Sequence, residues 1–242
     1  TYTVVGSMGY SWQIALTAVF LEGVLFIILS LFNVREAIIK AIPANLKKAV
    51  AVGIGLFIAL IGLSNAGILL KTDAGSVIIG FAPLEGSALV AVIGLLITII
   101  LYTLKVPGAI LIGIILTTIV GIPFGVTKIP EGFNAVSLPE APLFWKFDFS
   151  QVLTLKFFTV FFTFLFVDIF DTIGTLVGVT TEAGLTDKDG NIPKVKQALL
   201  ADAIGTVAGA ALGTSTVTSF VESSSGVAAG GRTGLSSIVT AV

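Results

Sequence analysis

A multi-span, all-helical membrane protein is the fold class this sequence predicts, and three observations predict it. Of 242 residues, 55% are hydrophobic types and only 11% are charged, against the roughly 25% charged residues of a soluble domain. Mean hydropathy is +1.08, so too few charges exist to cover a soluble core and lipid must cover much of the surface. The apolar residues also gather into runs of about 20, the length that crosses a bilayer as a helix. A net charge of −1 and a pI near 5.4 exclude a basic nucleic-acid binder. The chain has no Cys and no His. That removes disulfides, thiolate metal sites, cysteine nucleophiles and the commonest general base.

The first predicted span is 12–32, WQIALTAVFLEGVLFIILSLF. After it, 33–48 places Val34, Ala37, Ile38 and Ala41 at helical spacing ahead of Pro43, a pattern suited to a short helix lying at the membrane interface. Further spans are predicted at 46–66, 87–104 and 107–125, the last two joined by the tight KVPG turn. A Pro-rich loop over 126–156 leads to spans at 157–179 and 197–213, separated by TEAGLTDKDGNIPKVKQ. A broken element follows at 214–231, and another span begins at Arg232. The chain opens at Thr1 without Met and stops inside an apolar stretch, which suggests an internal piece of a longer polytopic protein. No signal peptide is evident.

Because spans alternate, the loops fall on two sides. One side collects Arg35, Lys40, Lys47, Lys48, Lys105, Lys188, Lys194 and Lys196; the other collects Lys71, Lys128, Lys146 and Lys156. The richer side is cytoplasmic by the positive-inside rule, which puts loops 33–48 and 180–197 in the cytoplasm of a multi-pass cell-membrane (inner or plasma membrane) protein.

Apart from Arg232, every cation is assigned to a loop, whereas five acids are not: Glu22, Asp168, Asp171, Asp202 and Glu222. An acid at the centre of a spanning helix costs about 2.5–3.5 kcal/mol on insertion scales. Several titratable acids facing one interior, with no buried base, suit a protein that moves protons or binds neutral polar ligands. Within FFTVFFTFLFVDIFDTIGTLVGV, Asp168 and Asp171 are three apart and share a helix face extended by Phe164 and Thr175. Gly174 and Gly178 form a small-xxx-small pair that lets helices approach closely. Most of the Phe residues serve packing or face lipid. Glu22 and Asp202 suit a structural role as well as a functional one.

The second constellation is GTSTVTSFVESSSGVAAGGRTG, too polar and Gly-rich for an ordinary span. Thr214–Phe220 alternates with β-branched residues and reads as a short extended piece. Val221 onward opens a half-helix with Glu222 in its first turn. Irregular backbone at membrane depth is tolerated only where it is buried in protein or lines a cavity. Half-helix ends near the midplane are where transporters hold substrates.

At these residues a family resemblance enters. FVDIFDTIGTLVGV and ADAIGTVAGAALGTSTVTSFVESSSGVAAGGRTGL closely resemble the AzgA-like purine permeases of the nucleobase–ascorbate transporter superfamily. MGYSWQIALTAVFLEGVLFIILSLFNVREAIIKAIPANLKKA is similar to that family's fourth span and the segment after it. The resemblance implies a fourteen-span protein in two inverted seven-span repeats, with short strand segments in broken spans three and ten. On that map, residues 1–32 are core domain (the end of span three and span four), 33–156 the gate domain (spans five to seven), and 157–242 core again (spans eight to the start of eleven). Residues 1–5 would pair with 214–220.

The resemblance also implies that Asp168, Asp171 and Glu222 contact a purine or couple a proton, with Thr218, Ser219 and Phe220 of the extended piece beside the substrate. DTIGT favours Asp171 by likeness to uracil-type relatives, while the AzgA-like branch gives weight to both aspartates. Ser224 stands where much of the superfamily has Asn, and Gly231 precedes Arg232, which suits the AzgA-like branch.

The implied function is proton-coupled import of hypoxanthine, guanine or adenine by alternating access. No enzyme activity, no metal, and no cofactor beyond the proton gradient are expected. The expected partners are a purine nucleobase and the lipid bilayer, and gate-mediated homodimers occur in the superfamily. One alternative is a carrier of the same fold for an anion or for xanthine or uracil. The other is an Asp-rich, Mg²⁺-dependent membrane prenyltransferase, for which Arg232 is the one cation available to hold diphosphate.

Overall fold

A computed structural model describes residues 3–71, 78–129, 141–187 and 192–241. The chain divides into two compact units, Thr1–Ile54 with Pro139–Val242, and Gly55–Leu138. Among the described residues, five helices are long and apolar enough to cross a membrane. Four of the predicted spans become α1 (Trp12–Leu31), α3 (Ala44–Asn65), α4 (Gly86–Thr103) and α7 (Val195–Leu212) with small shifts at their ends. A fifth, predicted at 157–179, extends at both ends into the 28-residue α6 (Leu155–Glu182).

In the first unit, Ser11 caps α1 by accepting from the Ile14 N–H, and Thr154 caps α6 by accepting from the Phe157 N–H. Ala15 and Ala18 of α1 are fully buried, and Gly23 brings the helix hard against α7. A Cβ at Gly23 would lie 2.8 Å from the Val207 Cγ2 and 3.1 Å from its backbone N. Phe26, Leu165 and Ala203 form one patch of core where α1, α6 and α7 meet. Gly174 turns toward Val50 and Ile54 of α3, and Gly178 toward Val221, as expected of a small-xxx-small pair.

Asn33, in the left-handed region at φ +60°, reverses the chain after α1 and starts α2 (Val34–Ala41). Here the predicted apolar face of Val34, Ala37, Ile38 and Ala41 is the exposed one, while Arg35 and Ile39 turn into the protein. That orientation leaves the apolar stripe free to meet lipid.

The expected pairing of 1–5 with 214–220 is not what the structure shows. Thr3–Ser7 forms a π-helical turn, and residues 1–2 lie outside the described residues. Residues 214–220 are non-helical, and no ladder holds them among the described residues. The half-helix follows as α8 (Ser223–Ala228), two residues later than expected, and then α9 (Gly234–Ala241).

In the second unit, α4 and α5 (Ala109–Gly121) form an antiparallel pair, with Gly108 at φ +73° in the turn. The packing is reciprocal: Gly94 faces Thr117 and Gly113 faces Thr98. With 13 residues, α5 is about 20 Å long, shorter than the span predicted at 107–125. An antiparallel ribbon, β1 (Leu69–Lys71) with β2 (Ile78–Phe81), flanks the segment read as a plain loop, with Leu69 opposite Phe81 and Leu70 opposite Gly80.

Candidate functional site

The first unit contains a cavity of about 410 Å³, within the size range of small-molecule sites. Its wall is drawn from four places. Glu22 comes from the middle of α1, and Phe164, Asp168 and Asp171 come from one face of α6. Thr216 and Thr218 come from the extended segment, and Val4 and Met8 from the N-terminal turn. The spacing of Asp168 and Asp171 does what it promised locally: both acids and Phe164 face the same space.

Behind that wall stands Asp202 of α7, 7% exposed and fully occupied. Its Oδ1 accepts from the Thr218 hydroxyl at 2.9 Å and the Ser219 N–H at 3.0 Å. Its Oδ2 accepts from the Thr172 hydroxyl at 3.2 Å and lies 3.9 Å from Arg35 Nη2. Thr206, one turn along α7, donates to the Val217 carbonyl at 3.0 Å. Asp202 and Thr206 thus supply from α7 the hydrogen bonds that a helical backbone would have supplied to itself. That is why 214–220 can stay extended at this depth.

Arg35, on the segment between α1 and α3, corrects the reading that the intramembrane acids have no cation. It is 3% exposed, its Nη1 donates to the Leu199 carbonyl at 3.1 Å, and its guanidinium carbon lies 3.9 Å from the Phe26 ring centroid. The left-handed turn at Asn33 directs it there. A flat cation stacked on a ring and bonded to a carbonyl is held in one orientation.

Two carboxyls are treated differently. Glu22 is 0% exposed, and neither of its oxygens has a hydrogen-bond partner among the described residues. Asp168 Oδ2 is likewise buried and unpartnered.

The remaining predicted site residues are dispersed. Asp171 is half-buried and lines the cavity, as does Thr218. Ser219 contributes its N–H to Asp202 while its side chain is exposed. Phe220 and Glu222 are exposed and are not part of the cavity wall; Glu222 immediately precedes α8, where its side chain makes no capping bond. Sequence reasoning missed Arg35, Thr172 and Thr216 and left Glu22 and Asp202 undecided. For Glu22 the signal was present, since an acid four residues from Ala18 and four from Phe26 lies on the core stripe of α1.

Several membrane-crossing helices, a broken segment and buried acids around a small cavity define a multi-pass membrane protein with a polar internal site. The family model Xan_ur_permease (Permease family) matches residues 1–242, and the chain belongs to that family. A putative permease of Methanocaldococcus jannaschii is 49% identical over 96% of this chain and 53% of its own length. The guanine/hypoxanthine permease PbuG of Bacillus subtilis is 45% identical over 96% of this chain and 53% of its own. The adenine permease AdeQ of Escherichia coli is 39% identical over 100% and 54%. The chain therefore spans about half the length of these relatives. The purine-permease resemblance drawn from the two motifs is borne out, and membership points to a transporter rather than an enzyme.

Proposed function

We propose that the protein containing this chain imports purine nucleobases together with protons by alternating access. The observation that carries the reading is the cavity wall, where Asp168 leaves an oxygen without a partner beside Asp171 and Thr218. A purine presents ring N–H donors, and a carboxylate is an acceptor suited to one or two of them. Phe164 offers an aromatic face to a planar base. The names of the relatives, guanine/hypoxanthine and adenine permeases, support the substrate class. On this reading Asp168, Asp171 and Thr218 meet the base, Ser219 and Phe220 shape its surroundings, and Asp171, Glu222 and Asp168 serve proton coupling. Residues 1–32 and 157–242 are the core and 33–156 the gate, through which two copies associate. Loops 33–48 and 180–197 face the cytoplasm, and the proton gradient takes the place of any cofactor. The anion alternative is disfavoured by the site's one buried guanidinium, which is already committed to Asp202 and Leu199.

The test is uptake of radiolabelled hypoxanthine by the complete protein in cells lacking their own purine permeases, with and without a protonophore. Asp171→Asn and Glu222→Gln are run alongside with surface expression checked. Protonophore-sensitive uptake that either change abolishes is the expected result. No purine uptake by a well-expressed protein overturns the substrate class, and uptake surviving both changes overturns these two acids as essential.

A further inference from the structure

We propose that Glu22 shares with Asp168 the proton that accompanies the ligand, an inference that rests on the proton-coupled reading above. Glu22 lies midway along a 20-residue helix, too deep to reach water at either end, and is fully buried at the border of the cavity. Both of its oxygens lack a donor, and so does Asp168 Oδ2 on the facing helix.

The charges around Glu22 decide what it does. The groups acting on it among the described residues are Asp168 of α6, Asp202 of α7 and Arg35 of α2, with Asp171 three residues beyond Asp168. That sets Glu22, Asp168 and Asp202 against one cation. Arg35 and three hydrogen-bond donors are already committed to Asp202, which is satisfied as a carboxylate. Glu22 and Asp168 remain, two carboxyls in the cavity wall with no ion-pair partner within 4 Å among the described residues. Two such groups cannot both be ionised cheaply, so one proton resides on the pair and titrates as a property of both. Because Glu22 and Asp168 both line the cavity, a base whose N–H meets Asp168 changes how that proton is shared. With Asp168 holding the base as a carboxylate, the proton rests on Glu22, and base and proton occupy the site together. In one import cycle the pair takes a proton with the base from outside and gives both up inside, where the opened cavity admits water and both carboxyls can ionise, so one positive charge crosses with each neutral base.

The experiment reconstitutes the complete protein in liposomes and compares two modes. One is hypoxanthine accumulation driven by an inward proton gradient; the other is hypoxanthine–hypoxanthine exchange, which needs no net proton movement. Glu22→Gln is expected to cut gradient-driven accumulation by about tenfold or more, in the range of linkage between two sites, while exchange persists. Glu22→Asp, which keeps the acid, is expected to restore accumulation. A merely structural role would depress both modes together. Gradient-driven accumulation by Glu22→Gln equal to wild type overturns the proposal. Wild-type transport indifferent to the gradient overturns the proton-coupled reading instead, and the inference falls with it. Should Glu22→Gln not reach the membrane, infrared difference spectra on adding hypoxanthine decide the matter. The protonated-carboxyl band of wild type should shift in Glu22→Asp, and a band identical in both overturns the proposal.

Discussion

The α4–α5 pair and the α1–α6–α7 cluster both combine small residues with threonines, yet among the described residues only the cluster also bonds threonine hydroxyls between elements. In α4 and α5 the Thr hydroxyls stay at home: Thr98 donates to the Gly94 carbonyl, Thr103 to Ile99, Thr117 to Gly113 and Thr118 to Ile114, each one turn back. Gly faces Thr across the pair, and neither helix carries a charged side chain. In the cluster, Thr172, Thr206 and Thr218 donate across elements, to Asp202 and to the Val217 carbonyl. A hydroxyl bonded within its own turn commits its one proton to its own helix and lets two helices close up. A hydroxyl bonded between elements fixes their relative positions and holds a segment that cannot hold itself. The first region is packing, and the second is a site.

The largest effect should come from Asp202→Asn in the complete protein. It leaves Arg35 buried without its counter-charge, and breaking a buried ion pair costs about 3–5 kcal/mol. The expected outcome is a large fall in thermal unfolding midpoint and loss of hypoxanthine binding. Adding Arg35→Met should recover part of the stability, because no unpaired charge then remains. A midpoint unchanged by Asp202→Asn would erase the contrast between the regions.

An intermediate effect is expected from Gly94→Val, whose added atoms fall on Thr117. Overpacking of this kind costs about 1–3 kcal/mol. Thermal unfolding should register it while hypoxanthine affinity stays at the wild-type value. A fall in affinity as large as that of Asp202→Asn would show that the packing region is also part of the site.

The smallest effect belongs to Asp148, half-buried in the segment before α6. It accepts from the Ser150 N–H at 2.9 Å, and its bonds with Ser150 hold its carboxyl below the usual range. A lowered folded-state value means that this turn is stabilised above the ordinary Asp range, near about 3.9, and loses that support as pH falls through the lowered value. Hydrogen exchange at the Ser150 amide should therefore quicken on acidification in wild type and lose that pH dependence in Asp148→Asn. A matching response at Thr172 would show that the turn and the site respond together.

Much of this was legible in the chain. The spans were legible because hydropathy is a local property and a bilayer demands about 20 apolar residues whatever lies beside them. The shared face of Asp168 and Asp171 followed from helical spacing, and the break at 214–220 from residues that resist a helix. The ribbon at Leu69–Phe81 was not legible, since strands of three and four residues leave too short a pattern to distinguish from a loop. Nor was the short α5, because apolar residues continue past its end at Gly121.

What the sequence alone determined is that acids lie within apolar runs, and roughly where. Which of them have partners was decided by the tertiary structure. Arg35 bonds a carbonyl 164 residues away and faces Asp202 on the same distant helix, so no local pattern could join them. Asp202 is satisfied, Glu22 is not, and Glu222 stands exposed, although all three are single acids beside Ala, Gly, Leu, Ser or Val. An apolar run fixes depth in the membrane through transfer free energy, which each residue contributes independently. The fate of a buried charge depends on donors within about 4 Å, and those are brought there only by the packing of distant helices.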